Sequence, residues 1–193
     1  MSLSTAQIIR ETVSQSGQTL YDLSSGGKAL AVFLRHSGCT FCHQTLGDLA
    51  ASRSSIEASV GGERVRIVLV HMMTEAVAAP FFARFSLGDL PRISDPGRRL
   101  YAALDLKRGK ILQLFGSTVW WRGFMAGFKE GHRLGRPQAG EDWKQMPGIF
   151  LLKEGEVVFS FRHESASDRP DYLSLSRCFT GEDIPTGTSV AAR

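Results

Sequence analysis

Cys39-Thr40-Phe41-Cys42 sets two thiols three residues apart. An apolar run, Ala29 to Leu34, precedes them, and a stretch of helical periodicity follows. A thiol at a helix N-terminus meets the positive end of the backbone dipole and N–H groups that have no partner within the helix. Both favour thiolate over thiol, and the thiolate is the nucleophile. A second cysteine one turn further on can resolve a mixed disulfide or a sulfenic acid. The pattern points to thiol redox chemistry, with Cys39 as nucleophile at the helix start and Cys42 as the more buried resolving thiol.

The surrounding elements must present that pair. The run Ala29–Leu34 (ALAVFL) suits a strand buried on both faces. Leu46, Leu49, Ala50 and Ile56 carry helical spacing to about Val60, where Gly61-Gly62 stops it. Val65–Val70 (VRIVLV) reads as a second strand, and Glu75–Phe85 as a helix. Asp95 is placed to cap a short helix over Gly97–Leu104, with Pro96 at its first position. Gly148–Leu152 and Val157–Phe161 flank Lys153-Glu154-Gly155-Glu156 and predict a hairpin. A short helix within 3–21 opens the chain, and Tyr172–Phe179 closes the ordered part. The expected architecture is α/β, a mixed central sheet with helices on both faces. Residues 1–193 form one domain, with an insertion over about 107–142 and a frayed tail from about 184.

Composition narrows the classes. The 193 residues are 42% hydrophobic and 22% charged, as in ordinary globular proteins, and no run approaches membrane-spanning length. The N-terminus shows no basic segment followed by an apolar core, so the expected setting is cytoplasmic and reducing. There a close cysteine pair is catalytic or metal-binding more often than a structural staple. Zinc is disfavoured: His36, Cys39, Cys42 and His43 form one local group, whereas structural zinc joins two separated pairs. Cys39 to His43 also spells C-x-x-C-H, but haem attachment needs an exported chain. The net charge of +4 is concentrated between Lys107 and Lys144, where eight Lys and Arg face three Asp and Glu. That is a solvated face, too weak for nucleic-acid binding. Phe115, Trp120, Trp121, Phe124 and Phe128 in this stretch read first as a cap on the core, with contact to a membrane surface or partner helix, or a wall of the substrate groove at Trp120-Trp121-Arg122, as alternatives; Cys178 reads as a small core hydrophobe.

Strand, CxxC and helix, followed by Gln145-Met146-Pro147-Gly148-Ile149-Phe150, resemble the thioredoxin superfamily. Four further stretches are similar to the peroxiredoxin-like AhpC/TSA branch related to selenoprotein L. They are Phe33–Cys42, Ser94-Asp95-Pro96 before Leu100-Tyr101, and Val119-Trp120-Trp121-Arg122-Gly123 with Ser165–Asp171. The resemblance implies a thioredoxin-like fold in which Pro147 takes the place of a cis-proline facing the CxxC pair. It also implies that the Met146 backbone pairs with an incoming substrate. His36 stands three residues before Cys39, where peroxidases of this kind carry Thr or Ser, and Pro147 stands near the place of their Arg. On this basis dithiol–disulfide exchange leads, with a thiol peroxidase as the alternative. A redox-inactive binding module using the groove near Pro147 is the third reading. His36 reads either as an imidazolium that tunes Cys39 or as a loop histidine with no role. No metal or organic cofactor is expected. Expected partners are a disulfide or peroxide substrate and thioredoxin or glutathione as reductant, with a homodimer possible.

Overall fold

The computed structural model describes residues 3–58, 63–109, 141–165, 168 and 170–177. The helices are α1 (Thr5–Glu11), α2 (Leu20–Ser24), α3 (Thr40–Glu57), α4 (Glu75–Ala83), α5 (Arg99–Ala103) and α6 (Tyr172–Arg177). The strands are β1 (Lys28–Phe33), β2 (Val65–His71), β3 (Arg92–Ser94), β4 (Gly148–Lys153) and β5 (Glu156–Arg162). They form one sheet in the order β3-β2-β1-β4-β5. β1, β2 and β3 run parallel, and β4 and β5 are antiparallel additions. This is the thioredoxin-like mixed sheet that the sequence predicts. Among the described residues no helix is long and apolar enough to cross a membrane.

Strand alternation divides the core in two. Leu30, Val32 and Leu34 join Ile67 and Leu69 beneath α3, α4 and α6. Ala29, Ala31 and Phe33 join Val68 and Val70 beneath α1, α2 and α5. β1 is therefore buried on both faces, as its unbroken apolar run requires. The hairpin turn has Glu154 at φ 51° and Gly155 at φ 77°, the left-handed pair that matches strand twist.

One strand has no counterpart among the elements read from the sequence, and one helix start needs correction. Ile93 and Ser94 belong to a strand, β3, whose Arg92 is buried by pairing with Glu75 and by donating to the Gly88 carbonyl. Asp95 does cap α5, accepting from the N–H groups of Arg99 (2.9 Å) and Leu100 (2.8 Å). The helix nevertheless begins at Arg99 after a left-handed Arg98, so Pro96 is not its first residue. The closing helix is described to Arg177. Cys178, Phe115, Trp120, Trp121, Phe124, Phe128 and the tail from 184 lie outside the described residues. Arg108 and Gln145 form a bridge, and the Gly109 N–H donates to the Lys144 carbonyl (2.7 Å).

Tyr101 ties the core to the site. Its buried hydroxyl lies 2.6 Å from the Leu34 carbonyl and 3.1 Å from that of Val70, locking the ends of β1 and β2 together just before the cysteine loop. Tyr101→Phe should cost about 1–3 kcal/mol by leaving a buried carbonyl short of its donor, read as a lower denaturant midpoint.

Burial also holds the pKa of His36, His71 and His163 down from 6.5 to about 4. The unfolded chain takes up these protons near pH 6.5, and the folded chain only near pH 4. Their contribution is whole above pH 6.5 and is lost as pH falls toward 4. The melting temperature should drop across that window, and His71→Gln should reduce the drop.

Candidate functional site

β1 ends at Phe33, and the chain turns through Leu34–Gly38 to deliver Cys39 as the N-cap of α3. The Cys39 N–H donates to the His36 carbonyl (3.1 Å), closing the turn. Glu141 grips this loop with both carboxylate oxygens. It accepts from the Ser37 N–H (2.8 Å) and from the Ser37 hydroxyl (2.7 Å). His43 Nε2 lies 2.7 Å from the Ser37 carbonyl. The cysteine loop is thus pinned by its own helix and by a segment about a hundred residues away.

Cys39 and Cys42 are both free thiols, each 4% exposed. The Cys39 pKa is lowered from 9.0 to about 6. The leading cause is the hydrogen bond that Cys42 donates to it. The Arg35 guanidinium and the N–H groups of Cys42 and Phe41 add to this, while burial opposes it. The Cys42 thiol is pushed well up because it holds its proton to donate to Cys39, is buried, and faces the Cys39 charge. The pair therefore separates into a thiolate at Cys39 and a protonated thiol at Cys42, in the order that the helix position implies.

Arg35 is the residue that sequence reasoning missed. Its Nη1 donates to Cys39 Sγ at 3.3 Å, while Nε and Nη2 donate to the carbonyls of Gln145 (3.1 Å) and Trp143 (2.8 Å). Two backbone carbonyls fix the fork, and the third donor is left aimed at sulfur. The Arg35 N–H also donates to Cys42 Sγ (3.3 Å). At 6% exposed, the cation acts in a poorly screened setting. The signal was an arginine directly after a doubly buried strand, four residues before the cysteine. Its presence corrects the inference drawn from Pro147: the guanidinium comes from the end of β1 instead of from the start of β4.

The other three predicted residues are placed differently from expectation. The Met146–Pro147 bond is trans, so Pro147 is not the cis-proline that the resemblance implies. The Met146 N–H donates to the Lys107 carbonyl (3.1 Å) and its carbonyl accepts from Gln145 Nε2 (3.2 Å). The backbone that was to receive substrate is already paired, by Lys107 and by its own neighbour. His36 is a neutral imidazole at neutral pH, held down by burial first and then by the Arg35 and His43 charges, so it is no imidazolium. Its buried Nδ1 has no partner, and neither has the hydroxyl of Thr40 between the cysteines. Among the described residues no group of three His, Cys, Asp or Glu is arranged to hold a metal.

Solved structures similar to this fold include peroxiredoxins. The Xanthomonas campestris bacterioferritin comigratory protein, described for its alkyl peroxide reduction activity, superposes with a TM-score of 0.58 at 18% identity. The match covers 90% of this chain and 94% of that one. Peroxidoxin BcpB from Mycobacterium tuberculosis gives 0.52 at 19% identity, over 87% and 91% of the two chains. Peroxiredoxin Q from Xanthomonas campestris gives 0.55 at 17%, over 90% and 94%. At such identities the likeness speaks for the fold alone. No curated protein matches the chain. Residues 48–165, well over half its length, match the family described as AhpC/TSA antioxidant enzyme. The match starts six residues beyond Cys42, so it rests on the scaffold around the cysteines and not on the pair itself. The chain belongs to the AhpC/TSA antioxidant enzyme family, oxidoreductases of the thioredoxin superfamily.

Proposed function

We propose that this protein is a thiol peroxidase in which Cys39 attacks peroxide and Cys42 resolves the product. The observation that carries this reading is the Arg35 guanidinium held 3.3 Å from Cys39 Sγ by two carbonyls. A fixed cation beside the sulfur stabilises the thiolate and the negative charge that develops on the departing oxygen. Family membership supports the same reading. Disulfide exchange with a polypeptide, the leading expectation from the sequence, loses its main support, because the Met146 backbone is occupied and Pro147 is trans.

In the first step the Cys39 thiolate attacks one peroxide oxygen. The O–O bond breaks, Cys39 becomes a sulfenic acid, and the alkoxide or hydroxide leaves and takes up a proton. In the second step Cys42 gives up its proton and attacks the Cys39 sulfur. The S–O bond breaks, water leaves, and a Cys39–Cys42 disulfide closes within the first turn of α3. Two thiol equivalents, from thioredoxin or glutathione in a reducing cytoplasm, restore the pair. Neither step requires a metal or an organic cofactor.

One equivalent of peroxide should therefore consume both thiols of the pair and lower the protein mass by two hydrogens. Reduced protein that keeps both thiols through this titration would contradict the proposal. The pH dependence follows from the low Cys39 pKa. The rate with peroxide should rise as pH climbs through about 6 and be flat by neutral pH. An ordinary cysteine would still be gaining rate up to pH 9. Stopped-flow rates between pH 5 and 9, which span both values, separate the two profiles.

A further inference from the structure

Ser37, two residues before Cys39, has its backbone and side-chain polar groups engaged. Its N–H and hydroxyl donate to Glu141 at 2.8 and 2.7 Å, and its carbonyl lies 2.7 Å from His43 Nε2. Two residues earlier, Arg35 donates to the carbonyls of Trp143 (2.8 Å) and Gln145 (3.1 Å). One short segment, Glu141 to Gln145, therefore holds both the cation and the turn that carries the thiol. That segment is itself anchored. Asp142, whose side chain is 13% exposed, pairs with Arg98 and with Arg108 (2.8 Å). Its backbone carbonyl accepts from the Gln145 N–H (3.0 Å), and Gln145 Nε2 donates to the Leu106 carbonyl (2.9 Å). Such contacts set geometry, and a displacement of about 1 Å at a reacting group can cost about a hundredfold in rate. A carboxylate near a thiol disfavours the thiolate by its charge. Any help that Glu141 gives Cys39 therefore comes from its grip and not from its charge.

We propose that Glu141 is a positioning residue of this site: by gripping Ser37 it holds the Cys39 sulfur against the Arg35 guanidinium. The inference rests on the proposed function, in which Cys39 is the attacking thiolate. With the grip gone, the turn keeps its His43 contact and the bond from the Cys39 N–H to the His36 carbonyl. It loses both contacts that tie it to the segment carrying Trp143 and Gln145. Arg35 stays with its two carbonyls, and the sulfur drifts from Nη1. Losing the charge and losing the grip act on Cys39 in opposite directions. The first favours the thiolate, and the second takes away its cation. Glutamine separates the two. Glu141→Gln removes the charge but keeps one oxygen for the Ser37 N–H, while its amide can donate to the Ser37 hydroxyl. Glu141→Ala removes charge and grip together.

The test follows Cys39 ionisation in the full chain by ultraviolet thiolate absorbance and by the pH profile of iodoacetamide alkylation at Cys39, read by mass spectrometry. A thermal melt accompanies each variant. Glu141→Ala should raise the Cys39 pKa above that of the wild type and slow the reaction with peroxide at neutral pH by about tenfold to a hundredfold. Glu141→Gln should keep the Cys39 pKa at or below the wild-type value. In an Arg35→Met background Glu141→Ala should no longer raise it, because the cation is already gone. Ser37→Ala keeps the N–H bond and loses the hydroxyl, so it should give a smaller rise even where Glu141→Ala fails to fold. Cys39 as acidic in Glu141→Ala as in the wild type, with or without a lower melting temperature, overturns the inference. So does an equal rise with glutamine, a rise that persists beside Arg35→Met, or no rise in Ser37→Ala. Neither ionisation readout uses peroxide. A protein that shows the expected order of pKa values yet ignores peroxide overturns the peroxidase reading and leaves the positioning role standing.

Discussion

Cys39→Ser should reduce peroxide consumption to background, whereas Cys42→Ser should keep the first step and stop there. The asymmetry follows from the environments of the two sulfurs. Cys39 accepts from Arg35, from two N–H groups of α3 and from the Cys42 thiol, so its charge is stabilised from several directions. Cys42 holds its proton, and it is as buried as Cys39, not more so as the sequence suggests. With Cys42 replaced by serine, Cys39 should stall as a sulfenic acid that dimedone traps at one site. The substituent at 42 also sets the acidity of Cys39. Serine keeps an O–H donor and should preserve most of the depression, whereas Cys42→Ala removes the donor and should raise the Cys39 pKa above that of Cys42→Ser. Ultraviolet thiolate absorbance against pH reads both variants. Equal Cys39 acidity in the two would show that the Cys42 hydrogen bond is not the main cause.

Arg35→Met should slow the reaction with peroxide by about 100- to 1,000-fold, the usual consequence of removing one preorganised donor from a developing anion. Methionine roughly fills the space and removes the charge. The Gln145 and Trp143 carbonyls lose their partner, so a thermal melt must accompany the kinetics. A merely structural role would lower the melting temperature and leave the Cys39 pKa in place. The account requires that pKa to rise as the rate falls. Arg35→Lys should recover little, because a single ammonium cannot serve two carbonyls and a sulfur in the fork geometry.

Much of this scaffold is readable along the chain, for identifiable reasons. β1 and β2 are buried on both faces, so their apolar runs are nearly continuous, and the cysteine pair begins α3 where helical periodicity starts. The hairpin is marked by Glu154-Gly155. β3 escapes because its apolar content is Ile93 alone, and because Arg92 is buried through Glu75, a partner 17 residues away. Arg35 escapes for a similar reason. A charged residue after a strand reads as the start of a loop, and only the fold reveals that the carbonyls of Trp143 and Gln145 face it. Glu141 could not be assigned to the cysteine loop from sequence, since its contact with Ser37 spans 104 residues. The cis-proline expectation came from resemblance alone. It fails because the Met146–Pro147 bond is trans, and the Lys107 carbonyl takes up the Met146 N–H.

The most direct test is the stopped-flow rate at which fully reduced protein loses thiol to hydrogen peroxide at neutral pH, measured beside free cysteine. The account predicts a rate orders of magnitude above free cysteine, because the Arg35 guanidinium and the N-terminus of α3 stabilise both the thiolate and the leaving oxygen. A rate equal to that of free cysteine would contradict it.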